Sequence, residues 1–276
     1  MRKTRGLAAV LFGLANILAA CSDNGGVMTS PGGGDAITNV PAASADRKTV
    51  EVRDNVTIVR ASGDIRDAVE QYRKLLGDLN QNKDGEQPGN RREINWDGAP
   101  DNDNFPGNFF NVNAAPRGVV FTTPGTGFRN NSQLFTDVNE AYKGEFNTFS
   151  PPKLFVAKGS TIIDVHFFVA KSNTPATVTG FGAVFSDVGR AHSTTIEYFD
   201  VNGQSLLKIA APRRSDANGL SFLGANFDAR IVALVRITAG DTPLDANTFD
   251  NVKGAGKKFD LVATDDFIFG EPRAIN

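Results

Sequence analysis

The chain has 276 residues, and its 29 lysines and arginines nearly balance 31 aspartates and glutamates. This balance excludes a polybasic nucleic-acid binder and an acidic disordered tail. Hydrophobic residues make up 40% of the chain, which is enough for one core and at most two domains. Phenylalanine is frequent, with 21 copies, as are glycine with 28 and proline with 13. Because phenylalanine favours strands while glycine and proline favour turns, the composition predicts a mainly β protein with many loops.

Residues 1–20 are predicted to be a secretion signal peptide. The cations Arg2, Lys3 and Arg5 precede an apolar stretch that is too short for a comfortable membrane span. The stretch ends in Leu-Ala-Ala immediately before Cys21. This tetrapeptide resembles the lipobox of bacterial lipoproteins.

The lipobox resemblance implies that the chain is cleaved before Cys21, which then carries a diacylglyceryl thioether and an acylated amino group. Several acyl chains form a stable membrane anchor, whereas a single chain is marginal. Cys21 is the only cysteine, so it has no intramolecular disulfide partner; the alternative is a plain secretory peptide with an incidental cysteine. The next residue is Ser22 rather than aspartate, and in lipoproteins of this kind that favours the outer membrane of the bacterial cell envelope.

Residues 21–47 are predicted to be a flexible, lipid-anchored tether, because small residues dominate them without periodicity. The remainder, 48–273, is predicted to form a single domain. Its one predicted helix covers about 63–76, begins after Ser62 as the N-cap and ends at Gly77. The apolar residues of this helix recur at helical spacing and are expected to pack against a sheet.

Beyond residue 117 the pattern changes to short strands at hairpin spacing, with no helix between them. This pattern predicts an antiparallel β-sandwich. Asn202-Gly203 lies between two of the strands and predicts a type I′ turn, which needs positive φ at both residues. The predicted strands cover 119–122, 154–157, 161–170, 177–185, 194–199, 204–210, 220–227, 231–238 and 259–269.

No catalytic residues are predicted. The chain has no G-x-S-x-G nucleophile elbow, its cysteine is taken up by lipid, and no histidine–cysteine cluster has the spacing of a zinc site. Asp164 and His166 share one face of a predicted strand. They form either a carboxylate–histidine pair that orients a general base or, in the favoured interpretation, two solvent-facing side chains.

Four motifs stand out in the domain: RREINWDG at 91–98, RGVVFTTPGTGF at 117–128, GFGAVFSDV at 180–188 and DDFIFGEP at 265–272. In this order they resemble a largely uncharacterised family of secreted bacterial proteins. The resemblance covers about 55–273 and implies a jelly-roll-like β-sandwich, similar in style to carbohydrate-binding modules and other adhesive domains. It implies no enzymatic activity and supplies no catalytic residues.

Trp96, in the first motif, is the only tryptophan and has two interpretations. Its ring face suits stacking against a sugar. Burial in the core with a paired indole N–H is the favoured alternative, because Ile94 has the same strand parity.

Asp265, in the last motif, suggests a structural cation. It alternates with Phe267 on one face of the predicted strand, and a carboxylate that faces a core is costly unless it is paired or bound to metal. A bulge near Asp265-Asp266 would instead turn it outward. Jelly-roll modules of the kind this chain resembles often hold structural Ca²⁺ beside the last strand. The metal-free alternative is an ion pair of Asp265 with Arg92 or Arg117. The candidate calcium ligands are Asp97, Asp101, Asp187 and Asp265.

Together these features predict a non-enzymatic, lipid-anchored envelope or surface protein that binds a glycan or a protein. One alternative is a hydrolase of envelope or extracellular polysaccharide, which would need two carboxylates at a defined separation. Another is a purely structural envelope protein. The expected partners are the membrane, through lipidated Cys21, and the glycan or protein ligand; a nucleic-acid partner is not expected, since the charge balance gives no attraction to phosphate.

Overall fold

The computed structural model describes residues 46–216, 218–250 and 259–275. Within these ranges, short antiparallel strands account for most of the regular structure. The helices are α1 (Arg66–Leu76) and α2 (Phe109–Val112), with a 3₁₀ turn at Glu140–Tyr142. The strands are β1 (Arg47–Arg53), β2 (Val56–Ser62), β3 (Arg91–Ile94), β4 (Val119–Thr122), β5 (Gly127–Asn131), β6 (Leu154–Lys158), β7 (Ile162–Phe167), β8 (Ala176–Thr177), β9 (Gly180–Ser186), β10 (Thr195–Phe199), β11 (Ser205–Ala210), β12 (Leu220–Phe227), β13 (Leu234–Thr238), β14 (Ala263–Gly270) and β15 (Arg273–Ala274).

Two antiparallel sheets enclose the main core. The first has the order β1-β2-β12-β9-β14-β6-β5, with β3 also pairing with β14, and the second has the order β11-β10-β13-β7-β4. Strands β8 and β15 form a separate two-stranded ribbon. Four strands of the first sheet are neighbours in the order β6-β14-β9-β12, and four of the second in the order β7-β13-β10-β11. From β6 to β14 the chain alternates between the sheets, apart from the β10–β11 hairpin and the β8 ribbon. This connectivity is that of a jelly roll, so the predicted mainly β, antiparallel, jelly-roll-like sandwich is confirmed.

Aromatic rings fill the centre of the space between the sheets. Trp96, in the turn after β3, is 1% exposed and stacks on Phe155 of β6 with 3.8 Å between the ring centroids. The rings of Phe110 and Phe267 meet the indole edge-on, an arrangement that the ring quadrupoles favour. The core interpretation of Trp96 is therefore confirmed, and its ring is not available to a sugar.

Helix α1 covers the outer face of the first sheet, as its apolar stripe predicts. Tyr72 is fully buried there and donates a hydrogen bond of 2.8 Å to the carbonyl oxygen of Ala225 in β12. The tyrosine ring lies directly over two glycines of the sheet. A Cβ atom at Gly182 or Gly224 would come within 2.8 or 2.9 Å of ring atoms, so the strands approach the ring closely only because both positions lack a side chain.

The ends of α1 agree only in part with the sequence prediction. The helix ends at Gly77, as predicted, with the Gly77 N–H donating to the Arg73 carbonyl. The predicted start of the helix is wrong: the first helical residue is Arg66, and Ser62 is the last residue of β2 rather than an N-cap. The Arg66 N–H instead donates a hydrogen bond of 3.2 Å to Oδ1 of Asp64.

The β10–β11 hairpin forms, but its predicted type I′ turn is wrong. Of the two turn residues only Gly203 has a positive φ, of 75°. The Gly203 N–H donates to the Asp200 carbonyl at 3.1 Å, and the Asp200 N–H donates to Gln204 at 3.0 Å. These bonds and the shifted pairing register define a three-residue loop with glycine in a bulge.

Candidate binding cleft

The first and last sequence motifs meet in a buried ion pair. Arg92 of β3 is 0% exposed and Glu271, just after β14, is 1% exposed. The guanidinium donates two hydrogen bonds to the carboxylate, at 2.7 and 2.8 Å. The Arg92 guanidinium also donates to the backbone carbonyls of Lys83, Gly85 and Pro116. The Glu271 carboxylate also accepts hydrogen bonds from the Asn80 amide and the Gln87 N–H. The ion pair therefore holds the segment between α1 and β3, together with Pro116 before β4, against the end of β14.

A bulge in β14 sets the position of the two acids in the last motif. The register with β9 shifts between Thr264 and Phe267, which takes Asp265 out of alternation with Phe267. Its carboxylate accepts from the Phe149 N–H at 2.6 Å. The Ser150 hydroxyl bonds to the carboxylate of Asp266. Burial, and then the adjacent charge of Asp266, raise the pKa of Asp265 to about 9.

The predicted arginine partners of Asp265 are engaged elsewhere. Arg92 pairs with Glu271, and Arg117 donates to backbone carbonyls, including that of Glu93 at 2.8 Å. The predicted ion pair of Asp265 with either arginine is therefore wrong. Among the described residues, Arg73 of α1 approaches this acidic pair, with its Nη2 3.6 Å from Oδ2 of Asp266.

The structure does not gather the four predicted calcium ligands in one place. Within the described ranges, a single group of three carboxylates places an oxygen from each within 4.8 Å of the others: Glu145, Asp187 and Asp250. Of the predicted ligands only Asp187 belongs to it. Asp97 accepts from the Asn95 amide at 2.8 Å, and Asp101 accepts from the Ser132 hydroxyl. Ca²⁺ takes six to eight oxygen ligands, of which this group would supply a part.

Asp164 and His166 do not form a pair that could orient a base. Arg236 holds the Asp164 carboxylate through two hydrogen bonds, both of 2.7 Å. The His166 Nε2 atom lies 2.9 Å from the Thr122 hydroxyl. Burial lowers the pKa of His166 despite the opposing effect of Asp164, so the imidazole is neutral near pH 7.

A cleft of about 490 Å³ opens where several distant segments of the chain meet. The β10–β11 turn supplies Val201, and the segment between β12 and β13 supplies Arg230 and Ile231. The ribbon strand β15 and the residue after it supply Arg273 and Ile275. Val201 is 53% exposed and Ile275 is 46% exposed. The cleft therefore combines an apolar rim with two cations, and its volume lies within the range of ligand pockets.

The two arginines of the cleft differ in how they are held. Arg273 donates to the carbonyls of Gln87 and Gly89 at 3.3 and 3.5 Å, and its Nη1 lies 3.7 Å from Glu86. Its Nε is buried and has no hydrogen-bond partner among the described residues. Arg230 is exposed, and no ion pair or hydrogen bond holds its side chain within the described part of the chain. Burial, and then the charge of Arg273, lower the pKa of Arg230, and the charges of Glu86 and Glu271 oppose this shift.

Both acids that line the cleft are already bonded. Glu86 accepts from the Ala274 N–H at 2.8 Å, in addition to its pairing with Arg273. Asp200 accepts from the N–H groups of Asn202 and Gln204, both at 2.8 Å, inside the hairpin turn. The cleft therefore offers free donors rather than free carboxylates.

This cleft was not predicted from the sequence. Its residues come from segments as far apart in the chain as Glu86 and Ile275. Arg230 lies shortly after β12, and nothing in the surrounding sequence distinguishes it from other surface arginines. The only local signal was the Asn202-Gly203 hairpin, which places Val201 at the tip of a turn.

Comparisons with protein-family models, with curated proteins and with solved structures give no match for this chain. The functional inference therefore rests on the fold, the cleft and the N-terminal sequence.

The lipidation site predicted at Cys21, with the signal peptide 1–20 and nearly all of the tether 21–47, lies outside the described residues. The first strand, β1, begins at Arg47, one residue before the predicted start of the domain. None of the helices in the described ranges is both long and apolar enough to span a bilayer.

Proposed function

We propose that this chain is a non-enzymatic binding module, held on the bacterial cell envelope by lipid at Cys21, whose glycan or protein ligand docks in the cleft. The observation that carries the proposal is Arg230, which has no bonded partner in the described part of the chain and lies beside an exposed apolar rim. Free hydrogen-bond donors and exposed apolar side chains in one cavity favour ligand binding, because a bound ligand can contact both.

The chemistry of the cleft supports binding rather than turnover. A glycosidase needs two carboxylates free to act as acid and as base or nucleophile. Glu86 and Asp200, the acids of the cleft, instead accept hydrogen bonds from the chain itself. His166, the half-buried histidine of β7, contacts the Thr122 hydroxyl, and the carboxylate of Asp164 is bonded to Arg236 instead.

The N-terminal sequence supports the location. A signal peptide followed by the lipobox cysteine leads to lipid anchoring, and the glycine-rich tether has the composition of a flexible spacer. A module on such a tether would reach ligands beyond the membrane surface.

Binding to glycan and peptide arrays tests the proposal, with the purified full chain and two matched variants. Val201→Asp places a charge on the rim of the cleft, and Val52→Asp places the same charge on β1 at a residue that is 76% exposed. We expect array signals that Val201→Asp abolishes and Val52→Asp preserves. Signals lost in neither variant, or turnover of an arrayed polysaccharide, would contradict the proposal.

A further inference from the structure

We propose that the cleft recognises the free carboxylate end of a polypeptide with an apolar last residue, with Arg230 binding the carboxylate. This inference rests on the proposed function, because it names the ligand class of the same cleft.

The free donors of the cleft call for an anion. Arg230 presents a planar guanidinium with no bonded partner in the described part of the chain, and this group matches a carboxylate through two parallel hydrogen bonds. Arg273 adds a second positive charge to the lining of the cleft. Its guanidinium donates to the backbone carbonyls of Gln87 and Gly89, so Arg230 is the side chain left to bond the ligand.

The acids of the cleft argue against a cationic ligand. The oxygens of Asp200 are used by the hairpin turn, and those of Glu86 by Arg273 and the Ala274 N–H. A cation would have to displace these bonds and approach two arginines. An anion would instead reduce the repulsion between Arg230 and Arg273.

The apolar lining favours a peptide end over a sugar. Val201, Ile231 and Ile275 line the cleft, and none of the described aromatic side chains does. Trp96, the residue that suits sugar stacking, is buried in the core. Aliphatic side chains form an apolar contact for a valine, isoleucine or leucine side chain next to the carboxylate, and the volume of 490 Å³ is that of a site for a small ligand rather than for a folded surface.

Fluorescence anisotropy with labelled hexapeptides tests the inference on the purified full chain. The peptides end in valine, isoleucine or leucine, and each is made as the free acid and as the C-terminal amide. The variants are Arg230→Gln, Arg230→Lys and the control Arg66→Gln, which removes the same charge from a side chain that is 78% exposed at the start of α1. Thermal melting checks that each variant is folded.

We expect saturable binding of the free acids, weakened about tenfold or more by amidation and by Arg230→Gln. Arg230→Lys should be weakened less, because it keeps the charge and loses only the paired geometry. Arg66→Gln should bind like the wild type. Equal affinity for acid and amide, or unchanged affinity in Arg230→Gln, would overturn the inference.

Failure of this inference is distinguishable from failure of the proposed function. If no free-acid peptide binds but a glycan binds and is lost in Val201→Asp, the peptide-end inference is wrong and the cleft remains a binding site. If neither peptides nor glycans bind, both are wrong.

Discussion

Replacing Glu271 with glutamine keeps the shape of the side chain and removes its charge. Arg92 would then be a buried cation, 0% exposed, with carbonyl and amide oxygens as its only partners. Breaking a buried ion pair in this way costs about 3–5 kcal/mol, a large part of the roughly 5–15 kcal/mol that stabilises a typical domain. We expect a loss of this size for Glu271→Gln, because the pair also organises the loop that it is bonded to.

The double variant Arg92→Met/Glu271→Gln separates the charge interaction from the loss of individual bonds. Because the two side chains share two hydrogen bonds, the double variant should cost less than the sum of the single variants by about 1–3 kcal/mol. Glu70→Gln is the control, since Glu70 makes an exposed pair on α1 that contributes little.

Urea unfolding followed by the fluorescence of Trp96 measures these free energies, since the indole is buried and is the only one in the chain. The slope of the free energy with urea should stay constant across the variants. A loss below about 1 kcal/mol for Glu271→Gln, or strict additivity in the double variant, would refute the argument that a desolvated charge pair holds the loop.

Three further predictions concern other parts of the chain. The free energy of unfolding should fall as the pH rises from about 5 to about 9, because folded Asp265 keeps a proton that the unfolded chain has lost. Urea denaturation at several pH values in this range should show a shallower fall of this free energy in Asp265→Asn than in the wild type. The same dependence on pH in both proteins would contradict the raised pKa. Gly224→Ala should destabilise the domain by about 1–3 kcal/mol, because the new methyl meets the ring of Tyr72 at 2.9 Å, while Gly98→Ala, with no atom within 4 Å, should melt like the wild type; equal melting temperatures would count against the close contact. Cys21→Ser should abolish palmitate labelling and leave the protein soluble or as unprocessed precursor, and a soluble, unlabelled wild type would show that the lipobox prediction is wrong.

The strand pattern was predictable wherever hydrophobic residues alternate or cluster. Strands β4 and β12 match the predicted bounds, and most of the others begin or end within a few residues of them. Strand β5 was missed because Gly127–Asn131 contains one apolar residue; it is a strand because its backbone pairs with β6. Strand β3 was missed because it lies within 78–116, a stretch rich in asparagine, aspartate, glycine and proline, which favour turns.

The polar sites were less predictable, because each depends on contacts between distant segments. Strand parity placed Asp265 on the core face, and the bulge in β14 moved it beside Ser150. The sequence suggested Arg92 or Arg117 as the partner of that acid, but it could not show that Arg92 already forms an ion pair with Glu271. An arginine such as Arg230 is distinguished only by what lies around it in the folded chain.

The most direct test of the central claim is methyl NMR of the full chain labelled at isoleucine and valine, titrated with the strongest ligand from the arrays. If the cleft is the binding site, the methyl signals of Val201, Ile231 and Ile275 should shift together and saturably. The exposed Val50 and Val52 of β1 serve as internal controls and should stay in place. Shifts confined to β1, with the three cleft residues unchanged, would contradict the account.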